Sequence, residues 1–125
     1  MILDTNAVSA LLSGDRRLAR KLDSSDHHHL PLIVIGEYQF GMLASRKRTK
    51  LQPLLTRLEA ESILLYPDRE TADWYATIRY DLKNRGCPIP ENDIWIAALA
   101  RQHSLEIVSK DPHFDHVERI RRIDW

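Results

Sequence analysis

Pro90-Glu91-Asn92-Asp93-Ile94-Trp95-Ile96-Ala97-Ala98-Leu99-Ala100 begins acidic and then turns wholly apolar. Proline, glutamate and asparagine suit a first helical turn, where backbone N–H groups lack partners and the dipole favours negative charge. Every residue from 94 to 100 is apolar, which leaves no face for solvent and predicts a central helix packed on all sides. Asp93, Ala97 and Ala100 share one face at helical spacing. Taken alone, Asp93 has a plain explanation as an acid that complements the dipole. A second explanation, a carboxylate held at the mouth of the core, depends on what the rest of the chain brings there.

Outward from this helix the pattern alternates. On the carboxyl side, residues 105–109 read as a strand, stopped by Lys110-Asp111-Pro112; a turn with His113, Phe114 and Asp115 leads to a last short strand near Arg122-Ile123-Asp124-Trp125. On the amino side, Cys87-Pro88-Ile89-Pro90 is an extended linker. Before it, residues 70–85 form a helix with Ala72, Tyr75, Ala76, Ile78 and Leu82 inward, closed by Gly86. Residues 62–66 are a strand, preceded by a helical segment carrying Leu51, Leu54, Leu55 and Leu58.

Leu30-Pro31-Leu32-Ile33-Val34-Ile35 is continuous and β-branched, which predicts a strand buried on both faces, with Pro31 near its start. Gly36-Glu37 then opens a helix. Residues 24–29 are a polar connection, preceded by helices over 7–12 and 16–22, the second with Leu18, Ala19 and Leu22 inward. Met1-Ile2-Leu3 is a short buried strand, broken by the good N-cap residues Asp4-Thr5-Asn6. The alternation predicts a three-layer α/β/α domain with a central, mostly parallel sheet.

With 125 residues, 43% hydrophobic and 29% charged, residues 1–125 are expected to form one ordinary globular domain. No apolar run reaches the roughly 20 residues that span a bilayer, and Met1-Ile2-Leu3-Asp4 lacks a signal peptide's basic and apolar regions. The single cysteine, Cys87, excludes an intramolecular disulfide and a Cys-rich zinc site, which fits a reducing cytoplasm. Eighteen basic residues balance eighteen acidic ones, so any nucleic-acid contact must rest on a local patch. The candidates are Arg46, Lys47, Arg48 and Lys50, and then Arg119, Arg121 and Arg122; the competing account of each is a solvated surface. His27-His28-His29 reads as an exposed loop rather than a metal site, and Tyr38, Phe40, Trp74 and Tyr75 as packing aromatics.

The topology converts separate acids into a group. In a parallel α/β sheet the carboxyl ends of the strands and the amino ends of the following helices share one edge, where ligands bind. Asp4 ends the first strand, Glu37 follows the second, Asp111 follows strand 105–109, and Asp93 opens the helix before that strand. Carboxylates crowded on one edge raise each other's pKa values unless a positive charge intervenes. An all-oxygen cluster suits a hard divalent cation, Mg²⁺ or Mn²⁺, one or two in number. Asn6 and Ser109 are candidates to hold these carboxylates, with capping and strand-end hydrogen bonding as their alternatives, and Asp115 is a lesser candidate whose spacing from Asp111 across a proline more often means a turn.

These residues carry a family pattern. Met1-Ile2-Leu3-Asp4-Thr5-Asn6 resembles the opening of the PIN-domain nucleases, and Ile33-Val34-Ile35-Gly36-Glu37 with Phe40-Gly41 resembles their second motif. The stretch 93–100 resembles the third motif, and Ile107-Val108-Ser109-Lys110-Asp111 with Phe114 the fourth. Arg122-Ile123-Asp124-Trp125 is similar to the end of many VapC toxins of type II toxin–antitoxin pairs. The resemblance implies a Mg²⁺- or Mn²⁺-dependent endoribonuclease that cuts transfer, ribosomal or messenger RNA and blocks translation. It further implies a homodimer and a cognate VapB-like antitoxin that holds the toxin in a heteromeric complex. Carried over by motif, the functional acids are Asp4, Glu37, Asp93 and Asp111. The chain departs from the pattern at Ser109, where threonine is commoner, and at Arg121-Arg122, where Pro-Gly-Leu is frequent.

Two other classes compete. An aspartyl-phosphate phosphohydrolase or phosphotransferase on a similar sheet wants a second acid two residues after the first, and Asn6 stands there. A non-catalytic RNA-binding domain of PIN shape is expected to lose one or more acids, and all four are here.

Overall fold

In the computed structural model, which describes residues 1–23 and 27–125, five strands of two or three residues run parallel in one sheet. In chain order the elements are β1 (Ile2–Leu3), α1 (Thr5–Leu12), α2 (Arg16–Leu22), β2 (His29–Pro31), α3 (Leu32–Leu43), α4 (Arg48–Glu61) and β3 (Ile63–Leu65). Then follow α5 (Arg69–Asn84), α6 (Glu91–His103), β4 (Ile107–Val108), a 3₁₀ turn (Pro112–His116) and β5 (Arg122–Ile123). The spatial order is β3-β2-β1-β4-β5, with the helices flanking the sheet as an α/β/α sandwich.

β1 is central. It pairs with β2 at Ile2–His29 and with β4 at Ile2–Ile107 and Leu3–Val108. From β1 the chain builds outward on one side through β2 and β3, then crosses to the other side for β4 and β5. The order therefore reverses between β1 and β4, and in such sheets the crevice at the reversal is the binding position.

One predicted strand is mostly helix. Only residues 29–31 pair in the sheet; Leu32 already belongs to α3. Pro31 takes the N-cap position with φ −65° and ψ 141°, and the chain turns helical immediately after it. Within α3, Val34, Ile35 and Met42 are buried while Leu32 is 47% exposed. That is a helical face, and a continuous apolar run cannot by itself be told from a strand. Glu37 consequently stands in the second turn of α3, not at its start. The strands predicted over 62–66 and 105–109 shrink to Ile63–Leu65 and Ile107–Val108. Ala19 and Ala76, expected to point inward, are exposed. In the polar connection, Ser24, Ser25 and Asp26 lie outside the described residues.

α6 meets the expectation of a helix without a solvent face. Ile94, Ile96, Ala97, Ala98, Leu99 and Ala100 are all buried, and Trp95 stacks on Tyr75 of α5 with ring centroids 4.1 Å apart. A polar clasp fixes the same pair of helices: Asp68 caps α5 through Thr71, and Gln102 of α6 donates to both Asp68 carboxylate oxygens at 2.9 and 3.0 Å. Phe114, delivered by the 3₁₀ turn, is the largest fully buried side chain. No helix among the described residues is long and apolar enough to cross a membrane.

Candidate metal centre

At the reversal between β1 and β4, a residue of the first turn of α1 and one just after β4 brace a buried acid. Asp4 occupies the N-cap position of α1 but makes no capping bond with its side chain. Instead its Oδ2 accepts from Ser109 Oγ at 2.7 Å and from Asn6 Nδ2 at 2.9 Å. Ser109 is fully buried, and its Oγ also accepts from Asn6 Nδ2 at 3.0 Å and from the Asp111 backbone N–H at 2.9 Å. Asn6 Oδ1 accepts from the Lys110 backbone N–H at 3.1 Å. Asn6 and Ser109 thus tie the end of β1 to the end of β4.

Asp4 is 4% exposed. Burial pushes its carboxyl above the usual carboxylate range; the Ser109 hydrogen bond and the Thr5 backbone oppose that rise, and the charges of Glu37 and Asp111 add to it. Ser109→Ala removes the strongest opposing contact. The substitution is expected to move the Asp4 titration further upward, read by carboxyl-carbon NMR across pH, with the fold unchanged by amide spectra.

Asp93 enters from α6, whose first turn points its carboxylate at the 3₁₀ turn. Its Oδ2 lies 3.1 Å from His113 Nδ1, which is 3.0 Å from Asp111 Oδ1. Asp111 is the N-cap of that turn and accepts from the His113 backbone N–H at 2.9 Å. Burial raises the Asp93 carboxyl to about 6; the His113 contact pulls it down, and Asp4 and Asp111 push it up. Glu37 is oriented separately, accepting from Thr5 Oγ1 at 2.6 Å and from Asn92 Nδ2 at 2.8 Å.

All four acids line one cleft of about 910 Å³, together with Thr5, Asn6, Ser9, Gly36, Phe40 and Asn92. Two of these acids, Asp93 and Asp111, group with His113, the three ligand atoms lying within 4.8 Å of one another. Among the described residues the ion-pair partner of Asp93 and of Asp111 is His113, and no lysine or arginine lies within ion-pair distance of either. Carboxylates crowded in this way, with one imidazole nitrogen between two of them, make a donor set that fits a divalent metal.

Other expected residues fall elsewhere. Asp115 faces away from this group and forms a two-point pair with Arg122 at 2.8 and 2.9 Å, while Arg122 also donates to the Ser109 carbonyl at 3.0 Å. Its connection to the cleft runs through that arginine. Arg121 pairs with Glu106, so two of the three basic residues near the carboxyl end are engaged within the chain. Arg46, Lys47, Arg48 and Lys50 are exposed around the start of α4. Beside them, Ser45 and Leu51 line a second groove that shares Thr5, Ser9 and Glu37 with the cleft. Thr5, Asn92 and His113 were not singled out from sequence; the Asp111-Pro112-His113 run, in which an aspartate turn folds the third residue back, was the available signal.

Comparison with known proteins places this geometry. Residues 1–120 match the family model described as PIN domain. The chain is 32% identical to Toxin FitB of Neisseria gonorrhoeae, over 89% of this chain and 87% of that one. It is 30% identical to Ribonuclease VapC5 of Mycobacterium tuberculosis, over 90% and 84% of the two. Among solved structures it superimposes on VapBC-5 from Mycobacterium tuberculosis, described as a member of the VapBC family of toxin–antitoxin systems. That match has a TM-score of 0.79 at 25% identity, covering 99% of this chain and 97% of that one.

Proposed function

The chain belongs to the PIN-domain family, and we propose that residues 1–125 are one nuclease domain that hydrolyses RNA phosphodiester bonds as the toxin of a VapBC-type pair. The observation that carries this reading is the single cleft lined by Asp4, Glu37, Asp93 and Asp111 at the sheet's reversal point. Asp93 and Asp111, with Asp4 in the same cleft, would hold the divalent cation, Mg²⁺ or Mn²⁺. When bound, such a cation supplies Lewis-acid polarisation of the scissile phosphate and a more acidic water.

The chain's own residues do the remaining work. Asn6 and Ser109 keep Asp4 aimed across the gap between β1 and β4. Thr5 and Asn92 fix both oxygens of Glu37, which leaves it a rigid acceptor on the opposite wall, placed to take a proton from an attacking water. Arg46, Lys47, Arg48 and Lys50 are exposed between Ser45 and Leu51 of the second groove in sequence, which supports their contacting RNA phosphates. Phe40, 79% exposed, and Leu43 and Leu54 offer an apolar surface on α3 and α4 to a VapB-like antitoxin or a second copy of the chain. The aspartyl-phosphate alternative fits less well, because Asn6 braces Asp4 in the position where that chemistry wants a second acid.

Chelation is the direct test. Purified protein is expected to cut total cellular RNA in Mg²⁺ or Mn²⁺, to stop in EDTA, and to resume when the cation is restored, as read by sequencing of new 5′ ends. Cleavage undiminished in EDTA would sink the metal-dependent reading. Induction of the gene alone is expected to arrest growth, and co-expression of a small partner gene adjacent to it to restore growth.

A further inference from the structure

We propose that His113 is a nitrogen ligand of the cation held by Asp93 and Asp111, and that it tilts this centre from Mg²⁺ toward Mn²⁺. The inference rests on the metal-dependent reading above and adds a residue to it. His113 Nδ1 lies 3.1 Å from Asp93 Oδ2 and 3.0 Å from Asp111 Oδ1. Two ligand atoms at right angles around a cation, each about 2.1 Å from it, stand about 3.0 Å apart. The imidazole nitrogen therefore already keeps the spacing of a neighbouring ligand to both carboxylates.

Accessibility agrees. The His113 side chain is 42% exposed, against 13% for Asp93 and 31% for Asp111, so the three groups form a graded mouth from core to solvent. One short turn delivers two of them. Asp111 caps it, Pro112 restricts its backbone, and the His113 N–H bonds back to Asp111 Oδ1, so ring and carboxylate move as a unit. Substituting the ring leaves that backbone bond in place.

The donor set decides the metal preference. Mg²⁺ takes oxygen ligands in a near-ideal octahedron and keeps several waters; imidazole suits later first-row metals best, and Mn²⁺, the first of that row's affinity order, still accepts it more readily than Mg²⁺ does. Two carboxylate oxygens with one nitrogen give Mn²⁺ an extra donor that Mg²⁺ uses poorly. A competing role has the same distances: the ring acting only as a hydrogen-bond bridge between two carboxylates. The two roles part once metal is added.

The experiment loads the full chain with Mn²⁺ and records electron–nuclear double resonance, with wild type, His113→Phe, His113→Ala and Asp93→Asn. Phenylalanine keeps the ring without the nitrogen, and the site's exposure makes both replacements compatible with folding, which circular dichroism checks. The wild type is expected to show a nitrogen hyperfine coupling that switches from ¹⁴N to ¹⁵N on histidine labelling and vanishes in both His113 variants. By calorimetry, Mn²⁺ affinity in those variants is expected to fall by about tenfold or more, with Mg²⁺ affinity changed by less than about threefold. Mn²⁺ bound without nitrogen coupling, and equally tightly in wild type and His113→Phe, overturns His113 as a ligand and leaves the carboxylate centre standing. Mn²⁺ that fails to bind wild type, or binds Asp93→Asn equally well, overturns both.

Discussion

Asp93→Asn is expected to lower RNA cleavage by roughly a thousandfold or more and, in the same protein without metal, to raise stability near neutral pH. The two effects share a cause. Burial, with Asp4 and Asp111 nearby, raises the Asp93 carboxyl to about 6 despite the opposing His113 contact. The folded chain therefore binds this proton more tightly than the unfolded chain, whose aspartate titrates near 3.8. The stabilisation is fully present below the unfolded value and is lost as pH rises through about 6. Asparagine is neutral throughout and keeps it.

Urea unfolding in EDTA at pH 7.5 is expected to show the variant ahead by about 1 kcal/mol, after discounting for the solvent that reaches a half-buried group. At pH 4 the difference should shrink. Added Mn²⁺ should stabilise wild type and not the variant, by mass action on the folded state. A variant that cleaves as fast as wild type, or that is destabilised at pH 7.5, contradicts the reading.

Phe114→Ala is expected to cost about 3–5 kcal/mol of folding stability, the range for emptying a fully buried aromatic site. A domain of this size has about 5–15 kcal/mol in total, so the loss alone leaves the fold marginal. Phe114 is fully buried, belongs to the core cluster and sits one residue after His113 in the 3₁₀ turn capped by Asp111. The cavity should therefore loosen two groups of the metal centre together with the core. Denaturant melts measure the stability, and Phe114→Leu, which retains most of the volume, should fall between. At a temperature where Phe114→Ala is still folded, Mn²⁺ affinity should also drop. A melt indistinguishable from wild type would mean that the turn is not anchored by this ring.

That Asp4, Glu37, Asp93 and Asp111 face one cleft was legible in the sequence, because it follows from topology alone. Any acid at a strand's carboxyl end, or at the amino end of a helix running back along the sheet, comes to the same edge. Glu37 reached that edge by a different route from the one predicted. Pro31 ends β2 early, and the helix that carries Glu37 starts five residues before it. The apolar run 30–35 hid this, since periodicity fails where every residue is apolar. Ala19 and Ala76 misled for the opposite reason: alanine is at home on either face of a helix, so its apolarity says little about direction.

His113 was legible only through the Asp111-Pro112-His113 turn that folds it back on Asp111, a local signal that the spacing of the acids does not carry. Asp115 read as a member of the acidic group and instead found Arg122, since β5 brings that arginine alongside the turn.

The central position of β1 has a consequence for how this protein comes into being. Residue 2 lies beside residue 107, and the brace on Asp4 comes from Ser109. A ribosome making this chain has produced Asp4 long before the segment that aims it exists. Domains form as units during synthesis, and contacts between distant parts of the chain are the slow ones. A nascent chain lacking its last two strands therefore carries three of the four acids, Asp4, Glu37 and Asp93, with nothing to gather them. The acidic edge is assembled only after the segment that carries β4, Ser109 and Asp111 has been made.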